Sequence, residues 1–126
     1  MSSTYLEPAQ ELPGEVRDIH RALASLIEEL EAVDWYHQRA SLTDDEELRS
    51  IVEHNRDEEI EHAAMTLEWL RRQLPKFDEE LRTYLFTSGP ITGLEEGGGA
   101  ESEQSGESAE PRQGSLGIGS LRKESE

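Results

Sequence analysis

Apolar positions recur along most of the chain at steps of three and four, the spacing that lines one face of an α-helix. Over residues 13–40 they are Val16, Ile19, Leu23, Leu26, Leu30 and Val33. They predict one long helix, which Pro13 can start. The stretch "ASLTDDEE" then breaks the pattern. Thr43, with Glu46 three residues on, reads as a capping box. The second helix it opens runs from about Asp44 to Leu74 and stops before Pro75. A shorter third helix is expected over 76–87, with Phe77, Leu81, Tyr84 and Leu85 on one side and "SGP" at 88–90 ending it. The fold class is therefore all-α: a two-helix antiparallel hairpin plus a short third helix. One hairpin cannot cover both of its apolar stripes. Two copies are expected to pair into a four-helix bundle.

The pattern ends near Gly93. Every aromatic, methionine and histidine lies in residues 1–94, and 95–126 hold no aromatic residue at all. Such a tail cannot bury enough apolar surface to offset the entropy of ordering, so it is expected to be disordered. Its one departure is "GSLGIGSL" at 114–121, where Leu116, Ile118 and Leu121 stand among polar neighbours. This is either a chance run or a short linear motif that docks into a partner's groove. The chain thus divides into a flexible N-terminus (1–12), a helical domain (13–92), a disordered linker (93–113), the apolar motif (114–122) and a C-terminal end (123–126).

Charge narrows the partners. Twenty-nine acidic against twelve basic residues leave a net charge of −17 over 126 residues. A nucleic-acid partner needs a basic footprint, which is missing, whereas cations are attracted. With no cysteine, any metal must be held by carboxylate and imidazole. No apolar run approaches the roughly 18 residues of a membrane span, and "MSSTYLEPAQEL" lacks the pattern of a secretory signal. A cytoplasmic protein with no membrane partner is expected.

Candidate chemistry sits in "NRDEEIEHAAM" at 55–65. At about 100° per residue, with Leu48 at zero, Glu59 falls near +20° and His62 near −40°. Both lie in the middle of a stripe marked by Leu48, Ile51, Val52, Met65, Trp69 and Leu70, as does Asn55. Asp57, Ile60 and Glu61 do not. A buried acid and histidine need partners. They could simply be an ion pair, or the stripe could stay solvated. Alternatively they bind metal, since Glu59-x-x-His62 places both side chains one turn apart. Four-helix carboxylate proteins hold two irons with this pair plus single glutamates from other helices. On the first helix Glu29 lies at the stripe's edge beside Ala22 and Val33, with Tyr36 two turns further along. Glu28, Glu31 and Trp35 lie on the opposite face. One chain then supplies Glu29, Glu59 and His62, half of a di-iron set, and a two-fold dimer completes it. Trp35 is either an indole lying along the helix end or part of a second subunit interface or weak cation site with Glu28 and Glu31. His20, His37 and His54 are expected at the surface.

"EELEAVDWYHQR" (28–39) and "HNRDEEIEHAAMTLEWLRR" (54–72) closely resemble the encapsulated ferritins, truncated ferritin-like proteins packaged in encapsulin nanocompartments. "LRTYLFTSGPIT" (81–92) resembles the segment that follows, and "GSLGIGSLR" (114–122) resembles the peptide that loads cargo into encapsulin shells. The resemblance implies a ferroxidase centre of two irons per dimer, formed by Glu29, Glu59 and His62 with Tyr36 nearby. It implies a site where metal enters at Glu28, Glu31 and Trp35, dimers associated into a decamer, and an encapsulin shell as partner through Leu116, Ile118 and Leu121. The expected function is oxidation of Fe²⁺ for mineral storage inside the shell. Two other functions fit the residues: a non-catalytic helical adaptor with a Glu–His ion pair, and a di-iron or manganese carboxylate oxidase of another substrate.

Overall fold

A computed structural model describes residues 4–96. The motif at 114–122, with Leu116, Ile118 and Leu121, and the linker beyond Glu96 lie outside the described residues. Among the described residues there is no strand; helix α1 spans Gly14–Leu42, α2 Glu46–Gln73, α3 Pro75–Tyr84 and α4 Gly93–Glu96. The chain divides into two compact units between Leu74 and Pro75.

In the first unit α1 and α2 form an antiparallel hairpin. Pro13 caps α1 from outside, with extended backbone, and its carbonyl accepts from the Val16 and Arg17 amides at 3.0 and 3.1 Å. The turn is built differently from the expected capping box. Asp45, not Thr43, is the N-cap of α2, and its Oδ1 accepts from the Leu48 amide at 2.8 Å. Thr43 closes α1 instead; its amide bonds Arg39 O at 3.1 Å and its hydroxyl accepts from the Asp45 amide at 3.2 Å. The chain must reverse between two helices, so Thr43 and Asp45 both stay extended, and only Asp45 is close enough to the first turn of α2 to receive its free amide. Arg49, one turn into α2, reaches back across the loop. It donates to Ala40 O at 3.2 Å and to Thr43 O, two carbonyls at the end of α1.

The interhelical core is thin. Ala40 of α1 and Val52, Ala63 and Leu70 of α2 are buried, with Ile19, Leu26 and Val33 half-buried beside them. Alanines at 40 and 63 let the backbones approach. Val16, Leu23, Ile27 and Leu30 on one flank of α1, and Leu48, Ile51, Met65 and Trp69 on one flank of α2, stay exposed. The apolar stripes read from the periodicity are therefore only partly used within one chain.

The segment expected to be a flexible N-terminus carries a short 3-10 turn at Ala9–Glu11. Arg17 donates to Ala9 O at 3.0 Å, and the Tyr5 ring stacks on His20 with centroids 4.0 Å apart. His20 is thereby half-buried rather than at the surface. An aromatic face offered by α1 is a partner that helical periodicity does not predict.

The second unit holds α3, which Lys76 braces by ion pairs to Glu80 at 2.9 Å and Glu79 at 3.5 Å. These two carboxylates, Glu80 first, raise the pKa of Lys76. The helix ends three residues before the expected 87, because Phe86 takes a left-handed φ of 61°. That conformation costs a non-glycine residue roughly 1–2 kcal/mol. Gly93–Glu96, assigned to the linker by composition, form a single helical turn.

Candidate functional site

Four polar residues run along α2 between its buried line and its exposed apolar flank: Asn55, Glu59, His62 and Thr66. Their steps of three and four keep them on one strip of the helix. Glu59 and His62 meet there, with His62 Nδ1 3.5 Å from Glu59 Oε1. In a single chain they are not enclosed; their side chains are 27% and 44% exposed. The strip faces out from the hairpin edge rather than into its core, flanked by exposed Ile51, Met65 and Trp69.

Glu29 stands across from this strip on α1. Its Oε1 is buried and has no hydrogen-bond partner. Its Oε2 accepts from the Thr66 hydroxyl at 3.4 Å, and the same hydroxyl lies 3.1 Å from His62 O. Glu29 and Thr66 line an open recess of about 390 Å³ between the helices, bordered by Arg21, Ala22, Ser25, Met65 and Trp69; the Arg21 guanidinium is engaged by Asp18 at 2.6 Å. An unpaired buried carboxylate oxygen is expensive, on the order of 1–3 kcal/mol or more for a charged group. It is an acceptor awaiting a positive partner. A hard cation fits the oxygen chemistry of that carboxylate.

The structure thus joins Glu59 to His62, and Thr66 links Glu29 to the turn that carries His62. It does not bring Glu29, Glu59 and His62 of one chain into a single cluster, and no group of three or more metal-binding side chains forms among the described residues. Tyr36 is half-buried on α1, with the Arg39 guanidinium 5.7 Å from its ring centre. On the other side of α1, Glu28 and Trp35 are exposed and Glu31 is half-buried. His37 and His54 are surface residues, the first 3.2 Å from Arg56 and the second 3.2 Å from Glu58. No helix among the described residues is long and apolar enough to cross a membrane.

Thr66 is the residue that sequence reasoning passed over. Its signal was available: it falls one turn after His62, in the centre of the α2 stripe. Hydroxyls in helices usually bond back to their own turn, so the spacing alone does not distinguish Thr66 from an ordinary helical threonine.

Comparison with known proteins identifies the relatives. Residues 4–88 match a family described as EncFtn-like. A ferritin-like protein from Thermotoga maritima is 58% identical over 121 residues, 96% of this chain and 100% of the relative. An encapsulated ferritin-like protein from Rhodospirillum rubrum is 54% identical over 127 residues, 98% of this chain and 91% of the relative. A crystal structure of a protein from Nitrosomonas europaea superposes with a TM-score of 0.68 at 63% identity, covering 69% of this chain and 96% of the other.

Proposed function

This chain belongs to the EncFtn-like family, that of the encapsulated ferritin-like proteins, and from that premise we propose that it is a ferroxidase whose di-iron centre is completed by a second copy of the chain. The observation that carries this reading is Glu29 Oε1, a buried carboxylate oxygen with no partner, beside a strip that already holds Glu59 and His62 together. The exposed apolar residues Leu48, Ile51, Met65 and Trp69 border the same strip. A second copy laid on this face would bury them and double the ligand set to four glutamates and two histidines.

Fe²⁺ is the substrate. Glu29 and Glu59 supply hard oxygen donors that favour Fe³⁺ over Fe²⁺, and neutral His62 supplies nitrogen. Each of two Fe²⁺ ions gives up one electron, so that together they reduce one dioxygen, with two protons, to the peroxide level. The Fe³⁺ leaves and hydrolyses with water, releasing protons, to the oxide that is stored. The surplus negative charge, −17 over the chain, draws cations toward the site. Glu28, Glu31 and Trp35 fit a place where iron enters, and Tyr36 flanks Glu29 along α1. Decamer assembly and residence in a cytoplasmic encapsulin compartment belong to the same proposal. The relative from Rhodospirillum rubrum is named as encapsulated, and "GSLGIGSLR" resembles a cargo-loading peptide.

One observation favours an adaptor without chemistry: Glu59 and His62 can satisfy each other at 3.5 Å. The unpaired Glu29 oxygen has no explanation in that reading. Anaerobic native mass spectrometry of the full chain, with and without Fe²⁺, separates the two. We expect an iron-driven dimer or larger ring carrying two irons per dimer, lost in Glu59→Ala. Assembly that binds no iron would make Glu59 and His62 a structural pair. For the tail, Leu116→Ala with Ile118→Ala should leave iron oxidation intact and abolish packaging in a co-expressed shell; retained packaging refutes that assignment.

A further inference from the structure

We propose that Thr66 is a positioning residue for this centre: its hydroxyl holds one oxygen of Glu29 and so presents the other as a donor to Fe²⁺. The inference rests on the ferroxidase reading and deepens it.

Thr66 has one hydroxyl proton and two acceptors within reach. They are His62 O at 3.1 Å and Glu29 Oε2 at 3.4 Å. The contact with Glu29 joins residues 37 apart in sequence, from facing helices. The contact with His62 ties the same side chain to the turn that carries the histidine ligand. Thr66 therefore stands between Glu29 on α1 and the turn of α2 that carries His62, and acts through Glu29.

The two oxygens of Glu29 are not equivalent. Oε2 has the Thr66 hydroxyl beside it, and Oε1 is buried with no partner. A single hydroxyl proton cannot serve both. When the proton goes to Oε2, the carboxylate is held against rotation with Oε1 as its free donor. Hydrogen bonds of this kind orient ligating carboxylates and tune their metal affinity. The His62 carbonyl is the nearer acceptor in the single chain, at 3.1 Å against 3.4 Å for Glu29 Oε2. A backbone carbonyl already bonded within the helix loses little when that proton moves to a charged oxygen.

The hydroxyl and the methyl of Thr66 make separable predictions. Thr66→Val keeps the shape and removes the proton, and Thr66→Ser keeps the proton and removes the methyl. Zn²⁺ binding to the full chain by titration calorimetry reads ligand geometry without redox chemistry, and oxygen uptake against Fe²⁺ reads the reaction. We expect Thr66→Val to weaken Zn²⁺ binding about ten-fold and to raise KM for Fe²⁺ by a similar factor, with kcat changed by less than about two-fold. Thr66→Ser should return both to within about two-fold of the unsubstituted chain. Thr66→Ala, which also lacks the proton, stands in if the valine variant does not fold. Valine binding like threonine overturns the inference, and so does serine failing as valine does, since the methyl would then be what matters. An unsubstituted chain that neither binds Zn²⁺ nor oxidises Fe²⁺ overturns the ferroxidase reading and this inference with it. Normal binding in the unsubstituted chain with an unaffected valine variant overturns this inference alone.

Discussion

The loop end of the hairpin and the recess at Glu29 are built on opposite terms. At the loop, Arg49 covers the Ala40 and Thr43 carbonyls, Thr43 receives the Asp45 amide, and Asp45 receives the Leu48 amide. A few turns away, the carboxylate of Glu29 keeps one buried oxygen with no donor. Both places are made from the same two helices. The loop is arranged for the stability of the single chain. The recess carries a local cost that folding alone does not explain, the usual mark of a site held ready for a ligand.

Changes at the two places should therefore have opposite consequences. The largest effect is expected at the recess. Glu29→Met keeps the side-chain length and removes the unpaired oxygen. Fe²⁺ oxidation should fall by at least about a hundred-fold, more than the loss typical of an outer-shell partner. The metal-free chain should become more stable by about 1 kcal/mol, because a buried unsatisfied group is gone. Chelator-treated thermal melts and an oxygen electrode check the two halves. Lower stability together with lower activity would break the contrast.

Arg49→Ala should do the reverse. It strips the donors from two carbonyls at the α1 terminus, at a cost of about 2 kcal/mol by denaturant melt. Iron bound per folded chain should be unchanged. Arg49→Lys should recover only part of the loss, since an ammonium cannot reproduce the planar fork of guanidinium donors. Altered iron stoichiometry in the alanine variant would mean that loop and recess are coupled.

The smallest effect sharpens the comparison with a third place, the exposed C-terminal turns of α2. Hydrogen bonds from Arg71, and then Arg72, hold the Glu68 carboxyl down to about 2 from an ordinary 4.5. A depressed carboxylate contributes stability above its unfolded pKa and loses it as pH falls through the folded one. The gap in thermal midpoint between the unsubstituted chain and Glu68→Gln should be small at neutral pH, because the cluster is solvated. It should shrink as pH falls from 4.5 toward about 2. A gap that widened with acid would assign Glu68 another role.

Much of this arrangement is written in periodicity. The steps of three and four place Glu59, His62 and Asn55 on one strip, and Glu29 at the edge of the α1 stripe. Those readings need only the 3.6-residue turn. Pro75, the first residue of α3, likewise marks where α2 must stop. The cap expected at Thr43 falls instead to Asp45, because both carry oxygens able to cap and the path of the turn selects between them. The Tyr5 stack on His20 and the reach of Arg49 join residues too far apart for local pattern to pair.

What the sequence by itself determined was which residues share a helix face, because helical geometry is local and repeats without reference to the rest of the chain. What only the tertiary structure decided was which part of each face is used. Packing at Ala40, Val52, Ala63 and Leu70 turns α1 toward one edge of the α2 stripe and leaves the other edge open. That rotation sets Thr66 against Glu29 and leaves one carboxylate oxygen unpaired. Interhelical angle and depth come from the sizes of side chains meeting across the gap, and no periodicity within either helix records them.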